Sequence, residues 1–211
     1  MDGNNRWSKK NNIGKYESYK KGANKLIEIT KYIFNSYDIH YVSAFALSKH
    51  NFKRGSVLID IIKKVLIDLL EPTNDISKIN FKVRFKGNLN FLPKKIVEGL
   101  RKLEKNNLKS RNTLTIFLNY SGKDDILNAL KLLKSKKFNK FDLADYLLSA
   151  GLPDPDILIR SGGYSRISDF MLYQLSFTEL FFTKKLWPSI NVNDVKRFIE
   201  KFNKIDRKFG N

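Results

Sequence analysis

The chain has 211 residues, 42% of them hydrophobic, with no cysteine and a formal charge of +19. That length supports one packed core, and the lack of cysteine excludes a disulfide framework and thiolate metal sites, in keeping with a reducing cytoplasm. No apolar run approaches the roughly 18 residues of a bilayer span, the polar opening MDGNNRWSKKNN is no secretory signal, and the lysines lie in pairs along the whole length as on a solvated surface, so no nucleic-acid partner is expected.

MDGNNRW sets a carboxylate, a glycine and two amides (Asp2, Gly3, Asn4 and Asn5) ahead of Arg6 and Trp7. Such a run can fold into a backbone anion pocket with a metal ligand at its edge. Lys9, Lys10 and Lys15 add positive charge before a helix that repeats Ala23, Leu26, Thr30 and Ile33 on one face. Residues 39–47, IHYVSAFAL, read as a buried strand. The strand runs into Ser48, Lys49, His50, Asn51, Phe52, Lys53 and Arg54. Polar groups at the carboxyl end of a parallel strand make Asn51 and Arg54 site candidates, whereas His50 reads as a solvated loop residue.

Residues 58–70 form a helix with Leu58, Ile61, Ile62, Val65, Leu66 and Leu69 on one face, widened by Ile59, Ile67 and Leu70. Core packing is the plainer explanation of that width; one wall of an apolar cavity is the sharper one. A strand at 81–85, a helix around 92–103, a strand at 114–118 and helices at 125–133 and 142–149 follow, the last closed by Gly151 and Pro153, with a tail helix from Asn193. The alternation predicts a single α/β domain, with a central, mostly parallel sheet flanked by helices.

In DILIRSGGYSRISDFMLYQLSFTEL an apolar strand breaks after Ile159 at Arg160 and the turn Ser161, Gly162, Gly163. Met171, Leu172 and Leu175 then recur at helical spacing, which predicts a helix with Ser168 as its N-cap. Strand, turn and helix start would gather Arg160, Arg166, Ser168 and free backbone N–H groups, which suits a phosphate or diphosphate. Glu179 offers an oxygen ligand for a metal. The bland alternative is an ordinary strand-to-helix junction with two surface arginines.

Taken in order, MDGNNRW, FALSKHNFKR, KVRFKGNL, LNYSGKDDI, PDILIRSGG with YSRISDFMLYQ, ELFFTKKLWP and DRKFG resemble the cis-prenyltransferases, the family of undecaprenyl diphosphate synthase, over essentially the whole chain. The resemblance implies a Mg2+-dependent enzyme that adds isopentenyl diphosphate to an allylic prenyl diphosphate, giving a cis-polyprenyl diphosphate such as the undecaprenyl precursor of a cell-wall lipid carrier. It implies catalytic roles for Asp2 and Asn51, and Mg2+ held by Asp2 with help from Glu179. Gly3, Asn4, Asn5 and Arg6 would cradle the allylic diphosphate, with Trp7, Lys15, Tyr19, Ser48 and Phe52 as further substrate-binding residues. Arg160, Arg166 and Ser168 would hold the diphosphate of isopentenyl diphosphate, and Asn51 and Arg54 would lie between the two substrates. The proton acceptor stays open among Asp2, Asn51 through water and released diphosphate. The product is apolar, so a dry channel between sheet and helices is expected, walled by helix 58–70 and the helix near Leu92. A homodimer and peripheral contact with an anionic membrane are also implied.

The chain departs from the family pattern in places. Tyr19 stands where a histidine is usual, Lys15 replaces an arginine, Phe52 a tryptophan, and Tyr164 and Ser165 a polar pair. Members carry an apolar inner strand before the MDGN motif, so further residues upstream of Met1 are expected. Two other readings compete: a noncatalytic homologous partner subunit, opposed by retention of Asp2, Arg6, Arg160, Arg166, Ser168 and Glu179, and a basic RNA-binding protein.

Overall fold

The computed structural model describes residues 1–52, 55–134 and 143–208. Its most deeply buried strand is β3 (Thr113–Tyr120), in which all but one residue is buried. A strand covered on both faces is rich in apolar and β-branched residues, and TLTIFLNY is of that kind, with Thr113 and Thr115 buried alongside its apolar side chains. It is flanked by β1 (Tyr41–Ser48) and β2 (Lys82–Gly87), both parallel to it, in the order β1-β3-β2. Side chains alternate between the faces. Leu114, Ile116 and Leu118 pack under α2 (Lys15–Ser36), α4 (Ser56–Leu70) and α5 (Lys94–Glu104). Phe117 faces the other way and meets Tyr120, Phe170 and Met171.

A second parallel pair, β4 (Ile157–Arg160) and β5 (Glu179–Phe182), forms its own sheet. It packs through Ile157 and Ile159 against Ile29 and Ile33 of α2 and against Val195 and Ile199 of α7 (Val192–Phe202). Helix α7 begins with a capping box, in which the Asn191 side chain accepts from the Asp194 N–H and Asp194 accepts from the Asn191 N–H. The remaining helices are α1 (Asn4–Lys10), α3 (Lys49–Phe52) and α6 (Gly122–Lys134). The α/β architecture with a parallel sheet under helices is as expected.

Several local expectations fail. The segment after Ser168 forms consecutive turns, not a helix. Ser168, Asp169 and Met171 all have positive φ, and an N-cap needs an extended backbone, so Ser168 cannot serve as one. Residues 4–10 form α1, a helix not anticipated from sequence, so the MDGN backbone leads into a helix N-terminus. Only a single 3-10 turn, Leu143–Tyr146, occupies the region of the 142–149 helix, whose first residue lies outside the described residues. Strand β5 was not anticipated. The centre of the α4 stripe is core, with Ile62, Val65, Leu66 and Leu69 buried and Gly99 of α5 admitting Leu70, whose Cδ1 would lie 2.7 Å from an added Cβ, whereas Ile67 at its margin is exposed. Leu92 is buried in that same core, so neither helix walls the cleft along its length.

Candidate active site

A cleft of about 1300 Å³ runs between β1 and β4, the facing edges of the two sheets. Its apolar wall comes from Leu26, Ile29 and Ile33 of α2 with Ala44 and Leu47 of β1, and Leu58 is the residue of α4 that reaches it. The cleft thus lies between two sheet edges, with polar as well as apolar lining, and α2 contributes more of its apolar side than α4, which was expected to wall a channel.

At the polar end two segments distant in sequence are fastened together. The Asp2 N–H donates to Ser161 Oγ and the Ser161 hydroxyl donates to the Asp2 carbonyl, both at 3.0 Å. Gly162, at φ 93°, makes the approach feasible: an added Cβ would sit 2.7 Å from the Arg6 guanidinium and 3.0 Å from Asp2 Cβ. Its N–H donates to the Lys185 carbonyl at 2.7 Å. The Asp2 carboxylate then accepts from Arg6 at 3.3 Å and from Arg160 at 2.9 Å. Arg160 also donates to Ser168 Oγ at 2.5 Å and to the Arg166 carbonyl. Ser168 thus does reach the site, as the partner of a guanidinium.

Gly3, Asn4, Asn5, Arg6, Tyr19, Ser48, Asn51, Arg160, Arg166 and Ser168 all line this cleft beside Asp2. Asn4 Oδ1, which packs against Gly22 of α2, and Arg160 Nε are buried without a hydrogen-bond partner. Asn51 is seated by its N–H to Ser48 Oγ at 3.1 Å. Its helix is tied to α6 by the ion pair of Lys49 with Asp124, and the His50 imidazole lies 3.5 Å from Asp169. His50 is solvated as expected, on the short helix α3 at the rim of the cleft, with Asp169 nearby.

Other expected binders are elsewhere. Trp7 is buried; its indole donates to Ser189 Oγ at 2.9 Å, so it anchors α1 in the fold. Phe52 stacks edge-on against Phe91 and packs on the core. Lys15 is exposed at the start of α2 and does not line the cleft. Arg54 lies outside the described residues. Glu179 pairs with Ile157, three residues before Arg160 and thus roughly 10 Å along the strand, so within this chain it does not meet Asp2.

The donor set fits one hard cation of a particular kind. Among the described residues no cluster of three acidic or histidine groups exists. Asp2 is a single accessible carboxylate beside guanidiniums, which suits an ion that takes one protein carboxylate and completes its shell with phosphate oxygens and water. Sequence reading missed Ser161 and Tyr164 as site residues. Their signal was position alone, directly beside Arg160 and the paired glycines.

Residues 1–210 match the prenyltransferase family model described as undecaprenyl diphosphate synthase. The chain is similar to the tritrans,polycis-undecaprenyl-diphosphate synthase (geranylgeranyl-diphosphate specific) of Pyrobaculum aerophilum, at 34% identity over 99% of this chain and 92% of the relative. It is 35% identical to the isoprenyl transferase of Rickettsia felis, over 100% of this chain and 91% of the relative. Among solved structures it resembles a probable undecaprenyl diphosphate synthase from Campylobacter jejuni, with TM-score 0.73, 29% identity and coverage of 90% and 91%. Lavandulyl diphosphate synthase from Lavandula x intermedia, in complex with dimethylallyl diphosphate, shares the fold at TM-score 0.89 and 24% identity, over 100% of this chain and 95% of that one.

Proposed function

The chain belongs to the undecaprenyl diphosphate synthase family of prenyltransferases, and from that premise we propose that it condenses isopentenyl diphosphate with an allylic prenyl diphosphate, using Mg2+, to extend a cis-polyprenyl diphosphate of the undecaprenyl type. The observation that carries this reading is the bridge at Asp2. One carboxylate holds a guanidinium from each anion seat, Arg6 at 3.3 Å and Arg160 at 2.9 Å, at the mouth of an apolar slot.

A diphosphate is a stronger partner for both arginines than a single carboxylate. Diphosphates in the two seats would draw Arg6 and Arg160 from Asp2, and the freed Asp2 carboxylate would be the residue that holds Mg2+. The ion, when bound, adds positive charge where the departing diphosphate gathers negative charge. Gly3, Asn4, Asn5 and Arg6 hold the allylic diphosphate, and Arg160, Arg166 and Ser168 hold that of the second substrate. Breaking the allylic carbon–oxygen bond is assisted by guanidiniums already in position. The allylic carbon becomes positive and is attacked by the double bond of the second substrate, which then restores a double bond by giving its proton to an oxygen of the released diphosphate. Asn51 orients the groups between the two seats. The growing chain lies along Leu26, Ile29 and Ile33, away from water.

In this proposal the enzyme is a homodimer that touches an anionic membrane peripherally. Support for the first is the exposure of Phe177 and Leu180 around β5, and for the second the charge of +19 together with an apolar product. No described helix is long and apolar enough to cross a membrane.

The test is incubation with Mg2+, labelled isopentenyl diphosphate and a C10 or C15 allylic diphosphate, with and without chelator, followed by sizing of the extracted product. Label in a chain extended by whole isoprene units, lost on chelation, is expected. No extractable label would overturn the reading.

A further inference from the structure

Tyr164, in the turn that follows β4, is surrounded by charge. Its ring centroid lies 4.2 Å from the Arg166 guanidinium, 5.0 Å from that of Arg6 and 5.8 Å from that of Arg160. A cation within about 6 Å of an aromatic centroid is drawn to the negative face of the ring. Here three cations share one ring, although like charges at such spacing repel each other. Asp2 relieves that repulsion for Arg6 and Arg160, and the ring is what also reaches Arg166.

The backbone sets the ring there. Gly162 and Gly163 both have positive φ, and their N–H groups donate to the carbonyls of Lys185 at 2.7 Å and Thr183 at 2.9 Å. The turn is thereby pinned to the strand-end segment after β5, with Tyr164 at its tip, 43% exposed and lining the cleft. An aromatic ring suits this position better than a carboxylate. A carboxylate takes up the N–H edges of a guanidinium, which are the groups a phosphate needs, whereas ring attraction leaves those donors free.

We propose that Tyr164 is a positioning residue whose ring gathers Arg6 from one anion seat and Arg160 and Arg166 from the other, so that diphosphate meets preassembled guanidiniums and the two seats are coupled through one side chain. The inference rests on the diphosphate reading above. It assigns the work to the ring and none to the hydroxyl.

The experiment titrates inorganic diphosphate into the wild type, Tyr164→Phe and Tyr164→Leu by calorimetry, which needs no turnover, and then measures KM for both substrates. Tyr164→Phe should bind within about twofold of wild type, while Tyr164→Leu should bind about tenfold more weakly. Tyr164→Leu should also raise both KM values with a smaller change in kcat, at an unchanged melting temperature. Equal affinity of wild type and Tyr164→Leu would overturn the proposal, as would a Tyr164→Phe variant as defective as the leucine variant. A wild type that binds diphosphate yet forms no product would overturn the catalytic reading alone, and one that binds no diphosphate would overturn both.

Discussion

Strands β3 and β4 have similar apolar sequences, TLTIFLNY and ILIR, but lie in different surroundings. β3 is bonded on both sides and nearly all buried, whereas β4 is paired on one side and each of its residues is only half-buried. The backbone downstream differs as well. Elsewhere the non-glycine residues with positive φ are asparagines, Asn12, Asn107 and Asn119, which tolerate that region; beyond β4 they are Ser168, Asp169 and Met171. The strain is held by neighbours: the Asp169 carbonyl accepts from the Gly122 N–H at 2.8 Å, its carboxylate accepts from the Lys123 N–H at 3.0 Å, and Met171 is buried against Phe117. The well-buried layer is the one with relaxed backbone, and strain of the kind found at functional sites gathers beyond the half-buried β4, at Ser168 beside Arg160.

That division can be broken at either end. Phe117→Ala, which empties a fully buried position in contact with Tyr120 and Phe170, should cost about 3–5 kcal/mol in urea unfolding. A loss below about 1 kcal/mol would show that the β3 layer is not the stabilising half. Asp2→Ala should lower kcat by about 10² to 10³ while the denaturant midpoint stays put. A midpoint that falls with activity would make Asp2 a structural fastener first.

Asp194 tests the link between the halves, because it holds Lys185, whose carbonyl receives the Gly162 N–H. Burial pushes the Asp194 carboxyl up, but Lys185 at 2.7 Å, the Asn191 N–H and Arg197 outweigh it and hold the group below its ordinary value of 3.8. A depressed folded pKa means stability that is present above the ordinary value and lost as pH falls through the folded one. Asp194→Asn should therefore cost about 1–3 kcal/mol at neutral pH, and the gap to wild type should close as pH falls below 3.8. A gap independent of pH would assign the loss to packing.

The smallest effect concerns Ser168. Ser168→Ala should raise KM for isopentenyl diphosphate about tenfold by removing one of the partners that orient Arg160. Ser168→Gly should raise it equally while gaining about 0.5–1 kcal/mol of stability, since glycine relieves the positive φ. Stability lost on going to glycine would mean that the backbone there is not strained.

Much of this was legible from residues alone. The strands expected at 39–47, 81–85 and 114–118 are found at 41–48, 82–87 and 113–120, and the tail helix shows as a repeat of Val195, Phe198, Ile199 and Phe202. The anion seats show as glycines beside arginines. Trp7 and Phe52 misled because a motif position does not say whether a ring points to ligand or core; here both turn inward, to Ser189 and Phe91. The 168–177 segment misled because apolar spacing mimics a helix even where buried contacts, such as those of Phe170 and Met171, are reached from turns instead.

Composition, strand and helix periodicity and the glycine–arginine motifs determined the class of fold and the kind of ligand, because these follow from local conformational preference and from which side chains can carry charge. Only the folded chain decided which groups meet. Asp2 reaches Arg160 across 158 positions, α2 rather than α4 walls the slot, and Glu179 stays at the far end of its strand. The reason is that such meetings are set by how two sheets pack on shared helices, a balance of buried area and backbone pairing summed over the whole molecule that no short window of sequence contains.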